Sequence, residues 1–290
     1  MVEPIMELRK VCKQFKGFAL KDVSFQLNRG FIMGFIGANG AGKSTTIRCI
    51  LDLVHPDSGE VRLFGEKMTG NSSKLKQRVG FVFDQDVFFS GLTVAANARV
   101  LAPFYEKWDQ HAFLGYCDQF GLPLEKKVKT LSKGTKMKLA LAVALSHHAE
   151  LIIMDEPTSG LDPIFRKELL DCLLDVIQDD NKAIFFSTHN TSDLEKVADY
   201  ITFIRDGEIL MSEETDRLLE RFVSIRGPKA AMADVQAVQP LTLKQTAFGI
   251  EAFAESVNTA NLNRTDLTIE PVTLEDIMYH FRKAEKGRVR

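Results

Sequence analysis

Residues Gly37, Ala38, Asn39, Gly40, Ala41, Gly42, Lys43, Ser44 and Thr45 fit the pattern G-x-x-x-x-G-K-S/T. A loop of this kind wraps the phosphates of a nucleoside triphosphate. Glycines let the backbone turn tightly, so that successive N–H groups meet phosphate oxygens that a side chain would keep away. Lys43 supplies a mobile positive charge for the β- and γ-phosphates. Ser44 offers a hydroxyl to Mg²⁺ and falls in the first turn of a helix, where the backbone favours anions. A second group of reactive types stands at Leu151-Ile152-Ile153-Met154-Asp155-Glu156-Pro157. An apolar strand ending in two carboxylates sets them at the carboxyl edge of a sheet, where open α/β folds bind nucleotides. Asp155 suits the Mg²⁺ side, through water. Glu156 suits a general base that orients the attacking water, since phosphoryl transfer depends mostly on positioning and charge stabilisation.

The elements that must hold these groups can be read from periodicity. Phe31 to Ile36 is a short apolar run before the glycine loop, and Thr45 to Leu51 can continue as a helix. Strand, loop and helix are the setting the motif requires. Ile5, Glu7, Leu8 and Val11, then Phe18 to Leu20, then Val23, Phe25 and Leu27 alternate with polar residues, which predicts antiparallel strands. Turns at Asn28-Arg29-Gly30 and His55 to Gly59 separate these from further strands at Glu60–Gly65 and Val79–Phe83. From Val94 to Leu145 the period becomes helical. Strands at Leu151–Met154 and Ala183–Ser187 then alternate with helices at Ile164–Gln178 and Thr191–Ala198, and a D-G turn at Asp206-Gly207 predicts a hairpin. Such alternation implies a mostly parallel sheet covered on both faces. After Phe222 the pattern weakens. Short strands at Leu241–Leu243 and Leu267–Ile269 and a last helix from Leu274, with Thr273 as its N-cap and Asp276 in its first turn, are expected there.

Composition narrows the function classes. The 290 residues, 45% apolar and 26% charged, suit one large domain or a large one with a small one. A net charge of −2 gives no bulk electrostatic case for nucleic-acid binding. The apolar runs fall well short of the roughly 20 residues of a membrane span. No basic region followed by an apolar one opens the chain, so no signal peptide is expected. Cys12, Cys49, Cys117 and Cys172 are scattered, which suggests reduced thiols and not a metal site. His147 and His148 are adjacent and read as structural.

With both motifs in view, the chain resembles the ATP-binding subunits of ABC transporters over roughly residues 6–211. The family marker L-S-G-G-Q appears as Leu131-Ser132-Lys133-Gly134-Thr135, in which Ser132 and Gly134 match and Lys133 and Thr135 depart. The resemblance implies that Ser132 and Gly134 meet the γ-phosphate held by a second subunit. Lys133 reads equally as a solvated lysine or as a phosphate contact. Gln85 falls where the family has a glutamine between the Mg²⁺ and water site and the helical block. Ser159-Gly160-Leu161-Asp162 resembles the D-loop, which crosses the dimer interface, and His189 resembles the switch histidine at the γ-phosphate. Phe15 stands where the family has an aromatic ring against adenine, although it reads equally as a core aromatic, and Phe18 is a weaker candidate.

The resemblance implies an α/β P-loop NTPase core with a mostly parallel sheet, an antiparallel β subdomain, an inserted helical subdomain at about 86–146 and a small C-terminal extension. The ATP-binding domain is expected over 1–222 and an accessory region over 223–290. ATP and Mg²⁺ are the implied ligands. The implied partners are a second ATP-binding subunit, identical or not, and transmembrane permease subunits, with the chain on the cytoplasmic face of the membrane and no nucleic acid. Within the family, Phe104 to Asp109, the Leu-Ser-Lys-Gly signature and the tail after Phe222 are most similar to the bacterial exporters that include bacitracin-type resistance ATPases. The rival reading is a soluble ABC ATPase outside transport, acting as a protein or nucleic-acid switch.

Overall fold

The computed structural model describes residues 3–83, 87–259, 262 and 265–284. They divide into two compact units, Met1–Ser212 and Glu213–Arg290. Residues 213–222, read from the sequence with the first unit, fall in the second.

The first unit opens with alternating strands β1 (Met6–Phe15) and β2 (Phe18–Leu27), paired antiparallel through a turn at Gly17. After β3 (Ile32–Ile36) and α1 (Lys43–Ile50), the strands β4 (Ser58–Leu63) and β5 (Glu66–Lys67) extend this sheet in the order β2-β1-β4-β5. A short helix α2 (Ser73–Lys76) leads to β6 (Val79–Val82). The helical block then follows as α3 (Val94–Leu101), α4 (Gln110–Gln119) and α5 (Lys133–Ser146). Each of the three begins at a side-chain cap that satisfies otherwise unpaired N–H groups: Thr93, Asp109 and Ser132 respectively. The block packs around its own core of Val94, Phe113, Cys117, Val128 and Leu139.

The β/α alternation resumes with β7 (Leu151–Asp155), α6 (Pro163–Val176), β8 (Ala183–Thr188), α7 (Thr191–Val197) and the hairpin β9 (Tyr200–Arg205) and β10 (Glu208–Glu214). Among the described residues these strands form a sheet ordered β10-β9-β3-β8-β7-β6. The pairs β9·β3, β3·β8, β8·β7 and β7·β6 are parallel. β3 and β8 are buried along their whole length, as continuous apolar strands in a parallel sheet should be. Phe25 of β2 stacks on Phe185 of β8 at 5.7 Å, and Phe35 of β3 lies 5.1 Å from the same ring, which joins the antiparallel sheet to the parallel one. This mixed architecture is the α/β fold expected from the sequence.

The second unit comprises α8 (Thr215–Arg221), β11 (Phe222–Gly227), α9 (Met232–Ala237), β12 (Thr242–Gln245), β13 (Ile250–Glu255), β14 (Thr268–Pro271) and α10 (Leu274–Ala284). Its strands run in the order β12-β13-β11-β14, every pair antiparallel. β13 thus lies between β11 and β12, which are linked through α9, a split β-α-β arrangement. Ile225, Ile250, Ala252 and Ala254 pack with Ala231 and Val235 on one face. On the other, Phe222 stacks on Phe253 at 5.1 Å and meets Phe281 of α10 edge-on. Thr273 and Asp276 cap α10 reciprocally: the Thr273 N–H donates to Asp276 Oδ2 at 3.0 Å, and the Asp276 N–H to Thr273 Oγ1 at 3.1 Å. The two central strands, β11 and β13, were not expected from the sequence. Small alanines on the inner face of β13 leave too little apolar contrast to show the alternation.

Candidate nucleotide site

A cleft of about 640 Å³ opens at the carboxyl ends of β3 and β7. It is lined by the glycine loop from Ala38 to Thr45, by Gly17 and Phe18 of the first hairpin, and by Glu156, Ser159 and His189. The loop connects β3 to α1 as the motif requires. Gly42, the N-cap of α1, has φ +116°, and a Cβ there would stand 2.9 Å from Leu20 Cδ2 and 3.0 Å from Phe18 Cζ. Only glycine holds this backbone against its neighbours. The exposed Ser44 and half-buried Thr45 follow at the head of the helix.

Lys43 is 6% exposed, and its Nζ is held by the Gly37 carbonyl at 2.8 Å and by Glu156 Oε1 at 3.2 Å. The other Glu156 oxygen, Oε2, lies 2.7 Å from His189 Nδ1, the distance of an N–H donating to a carboxylate. Glu156 therefore bridges the loop lysine and the histidine after β8. Its backbone sits at φ +51°, a conformation that costs a non-glycine residue roughly 1–3 kcal/mol. The Glu156 N–H holds it there, donating to the Ser187 carbonyl at 3.0 Å and lying 3.2 Å from Ser187 Oγ. Ser187 Oγ also donates to Asp155 Oδ1 at 2.6 Å. The buried Ser187 thus positions both carboxylates, a role that the sequence reading missed. The signal was available in principle, because β7 and β8 run parallel with Asp155 opposite Ser187.

The structure brings together Gly37, Asn39, Gly40, Ala41, Gly42, Lys43, Ser44, Thr45, Asp155, Glu156 and His189. It adds Ser159, whose N–H donates to the Glu156 carbonyl at 3.1 Å. Phe18, the weaker of the two aromatic candidates, lines the cleft. Phe15 ends β1 and is 40% exposed, with Lys13 Nζ 5.9 Å from its ring centre. Ser132 and Gly134 are not among the lining residues. Ser132 is exposed at the N-terminus of α5, its Oγ accepting from the Thr135 N–H at 3.1 Å. Gly134 is buried where a Cβ would come within 2.8 Å of the Phe165 ring. Gln85 lies outside the described residues.

The donor set suits a Mg²⁺–triphosphate. The Ser44 hydroxyl and the Asp155 carboxylate are the hard oxygens that Mg²⁺ takes, and loop and helix N-terminus together favour phosphate. A larger groove of about 770 Å³ in the second unit has no such loop, and the Arg226 on its wall is paired with Glu270 at 3.0 Å.

The model of the ABC transporter family matches residues 20–159. The bacitracin transport ATP-binding protein BcrA of Bacillus licheniformis is 36% identical over 201 residues, 69% of this chain and 66% of that protein. The ABC transporter ATP-binding protein YtrB of Bacillus subtilis (strain 168) is 30% identical over 223 residues, 77% of this chain and 76% of that one. The chain belongs to the ABC transporter ATP-binding family. A solved ATP-binding subunit of an ABC transporter superposes with a TM-score of 0.68 at 26% identity, covering 74% of this chain and 91% of that one. CbiO1 from Clostridium perfringens, at 22% identity and a TM-score of 0.67, has the same fold over 74% of this chain and 90% of its own. The protein is accordingly an ATP-binding and ATP-hydrolysing subunit of an ABC transporter, and the reading as a switch outside transport is set aside. Among the described residues, no helix is long and apolar enough to cross a membrane.

Proposed function

We propose that the cleft binds Mg-ATP and that Glu156 is the general base of its hydrolysis. The placement of Glu156, gripped between Lys43 and His189 at the mouth of the phosphate loop, carries this reading. The loop N–H groups and the Lys43 ammonium hold the triphosphate. Because Lys43 Nζ is bonded to Glu156, its engagement with phosphate frees one carboxylate oxygen to accept a proton from water. His189 keeps the other oxygen oriented and lends an imidazole to the developing charge on the γ-phosphate. Ser44 and Asp155 would hold Mg²⁺, a role the family resemblance also gives Gln85, and the metal when bound would neutralise charge on the phosphate oxygens.

The cleft is half of a site on this reading. Ser132 and Gly134 complete the cleft of a second ATP-binding subunit, whose own signature completes this one, so that a two-fold pair encloses two nucleotides. Closure on ATP and reopening after hydrolysis supply the stroke, and permease subunits at the membrane receive it. Phe15 or Phe18 stacks on adenine. Export is the proposed direction, with this subunit on the cytoplasmic face of the membrane; similarity to a protein named for bacitracin transport supports a transport role.

Glu156→Gln tests the base. Calorimetry should find ATP binding retained, while phosphate release falls by about 10²-fold or more, the usual contribution of a general base. Turnover within twofold of wild type would refute the assignment.

A further inference from the structure

Behind the cleft wall lies a charged pair that the fold does not need. Asp193, in the first turn of α7, is fully buried, and neither of its side-chain oxygens has a hydrogen-bond partner. Arg166 Nε, on α6, lies 3.8 Å from Asp193 Oδ2 and is likewise buried without a hydrogen bond. At that distance the two form an ion pair and not a hydrogen bond. The Arg166 side chain is 32% exposed, so the buried charge is that of Asp193, and at 3.8 Å the pair recovers little of its desolvation cost; an apolar pair of similar volume serves stability as well or better. A local role is also closed to Asp193. As the third residue of α7 it is placed to cap the Asn190 N–H, but that group already donates to Thr188 Oγ1 at 3.0 Å.

The place of the pair supplies a reason for it. α6 starts immediately after the turn that carries Ser159, and α7 starts two residues after His189. Ser159 and His189 both line the nucleotide cleft. Arg166 and Asp193 therefore join the helix behind one wall of the cleft to the helix behind the other. Apolar surfaces slide past one another at little cost, whereas a buried carboxylate facing a half-buried guanidinium selects one spacing.

We propose that Arg166 and Asp193 are positioning residues for ATP hydrolysis: they fix α7 against α6 and so set His189 in register with Glu156 and Ser159. The proposal rests on the roles given above to Glu156 and His189. It is tested in the full chain with Asp193→Asn, Arg166→Met, the conservative Asp193→Glu, and the double change Arg166→Met with Asp193→Leu, beside Glu156→Gln as a control. Asp193→Asn and Arg166→Met should each lower kcat at least tenfold with KM for ATP within threefold, and the His189 imidazole resonance should shift. Asp193→Glu should restore most of the activity. The double variant should melt at or above the wild-type temperature yet turn over no faster than the single variants. A double variant with wild-type kcat, or a loss of melting temperature with kcat unchanged, makes the pair structural and overturns the proposal. If Glu156→Gln stops turnover while Asp193→Asn does not, only this inference fails. If Glu156→Gln has no effect, the reading of the site itself fails.

Discussion

At the scale of single residues, the site is a chain of shared partners. Ser187 serves Asp155 with its hydroxyl and Glu156 with its backbone carbonyl, while Glu156 divides its two oxygens between Lys43 and His189. Removing one member strands another. Ser187→Ala leaves Asp155 short of a donor in a half-buried place, a loss of about 1–3 kcal/mol where a polar group goes unpaired. We expect kcat to fall about tenfold, equivalent to ~1.4 kcal/mol of barrier, with a lowered melting temperature. Steady-state phosphate release and a thermal melt check this, and an unchanged kcat removes Ser187 from the machinery. Asp155, Glu156 and the glycine loop were legible in the sequence because each follows an apolar strand at a fixed spacing. Ser187 was not, because its value comes from standing opposite Asp155 in the neighbouring strand.

At the scale of elements, α5 links the signature to the interior of the helical block. Its N-terminus carries Ser132, and its C-cap is His147, which is 1% exposed. The His147 ring stacks on Tyr105 at 4.0 Å, and its Nδ1 lies 3.2 Å from the Gln77 carbonyl. Burial pushes its pKa down to about 4 from an ordinary 6.5. The folded chain thus keeps His147 neutral where the unfolded chain takes up a proton. Stability is complete above about pH 6.5 and is lost as the pH falls toward about 4, by at most about 3 kcal/mol for this shift. His147→Phe keeps the stack without the titration. The stability difference between pH 7 and pH 4.5, from denaturant midpoints, should be smaller by about 2 kcal/mol in the variant. An identical pH dependence would show that His147 is not the group responsible. Reading His147 as structural needed only its place at the end of an apolar helix, but its depressed pKa comes from burial in the folded chain, where Tyr105, distant in sequence, stacks on the ring and the Gln77 carbonyl only partly offsets the shift.

At the scale of the whole molecule, the phosphate loop and the signature of one chain line different surfaces: Lys43 is in the cleft, whereas Ser132 is exposed outside it. Two half-sites of this kind suit a head-to-tail pair. Subunits carrying Lys43→Ala and subunits carrying Ser132→Arg should each be inactive alone. Mixed in equal amounts, half of the dimers are mixed and one of the two sites in each is intact, which gives about a quarter of wild-type turnover. No recovery at any ratio counts against sharing of the site between chains.

The sequence alone determined the nucleotide chemistry and the α/β alternation, since backbone turning at glycines and the period of apolar residues are local properties of the chain. It also fixed which carboxylates end β7. The tertiary structure decided what depends on pairing between distant segments: that Ser187 orients both carboxylates, that Phe18 lines the cleft while Phe15 stays exposed, that β11 and β13 form the centre of the second unit, and that Arg166 meets Asp193 between α6 and α7. Strand register and helix packing put these groups within a few ångströms of each other, and spacing along the chain carries no record of either.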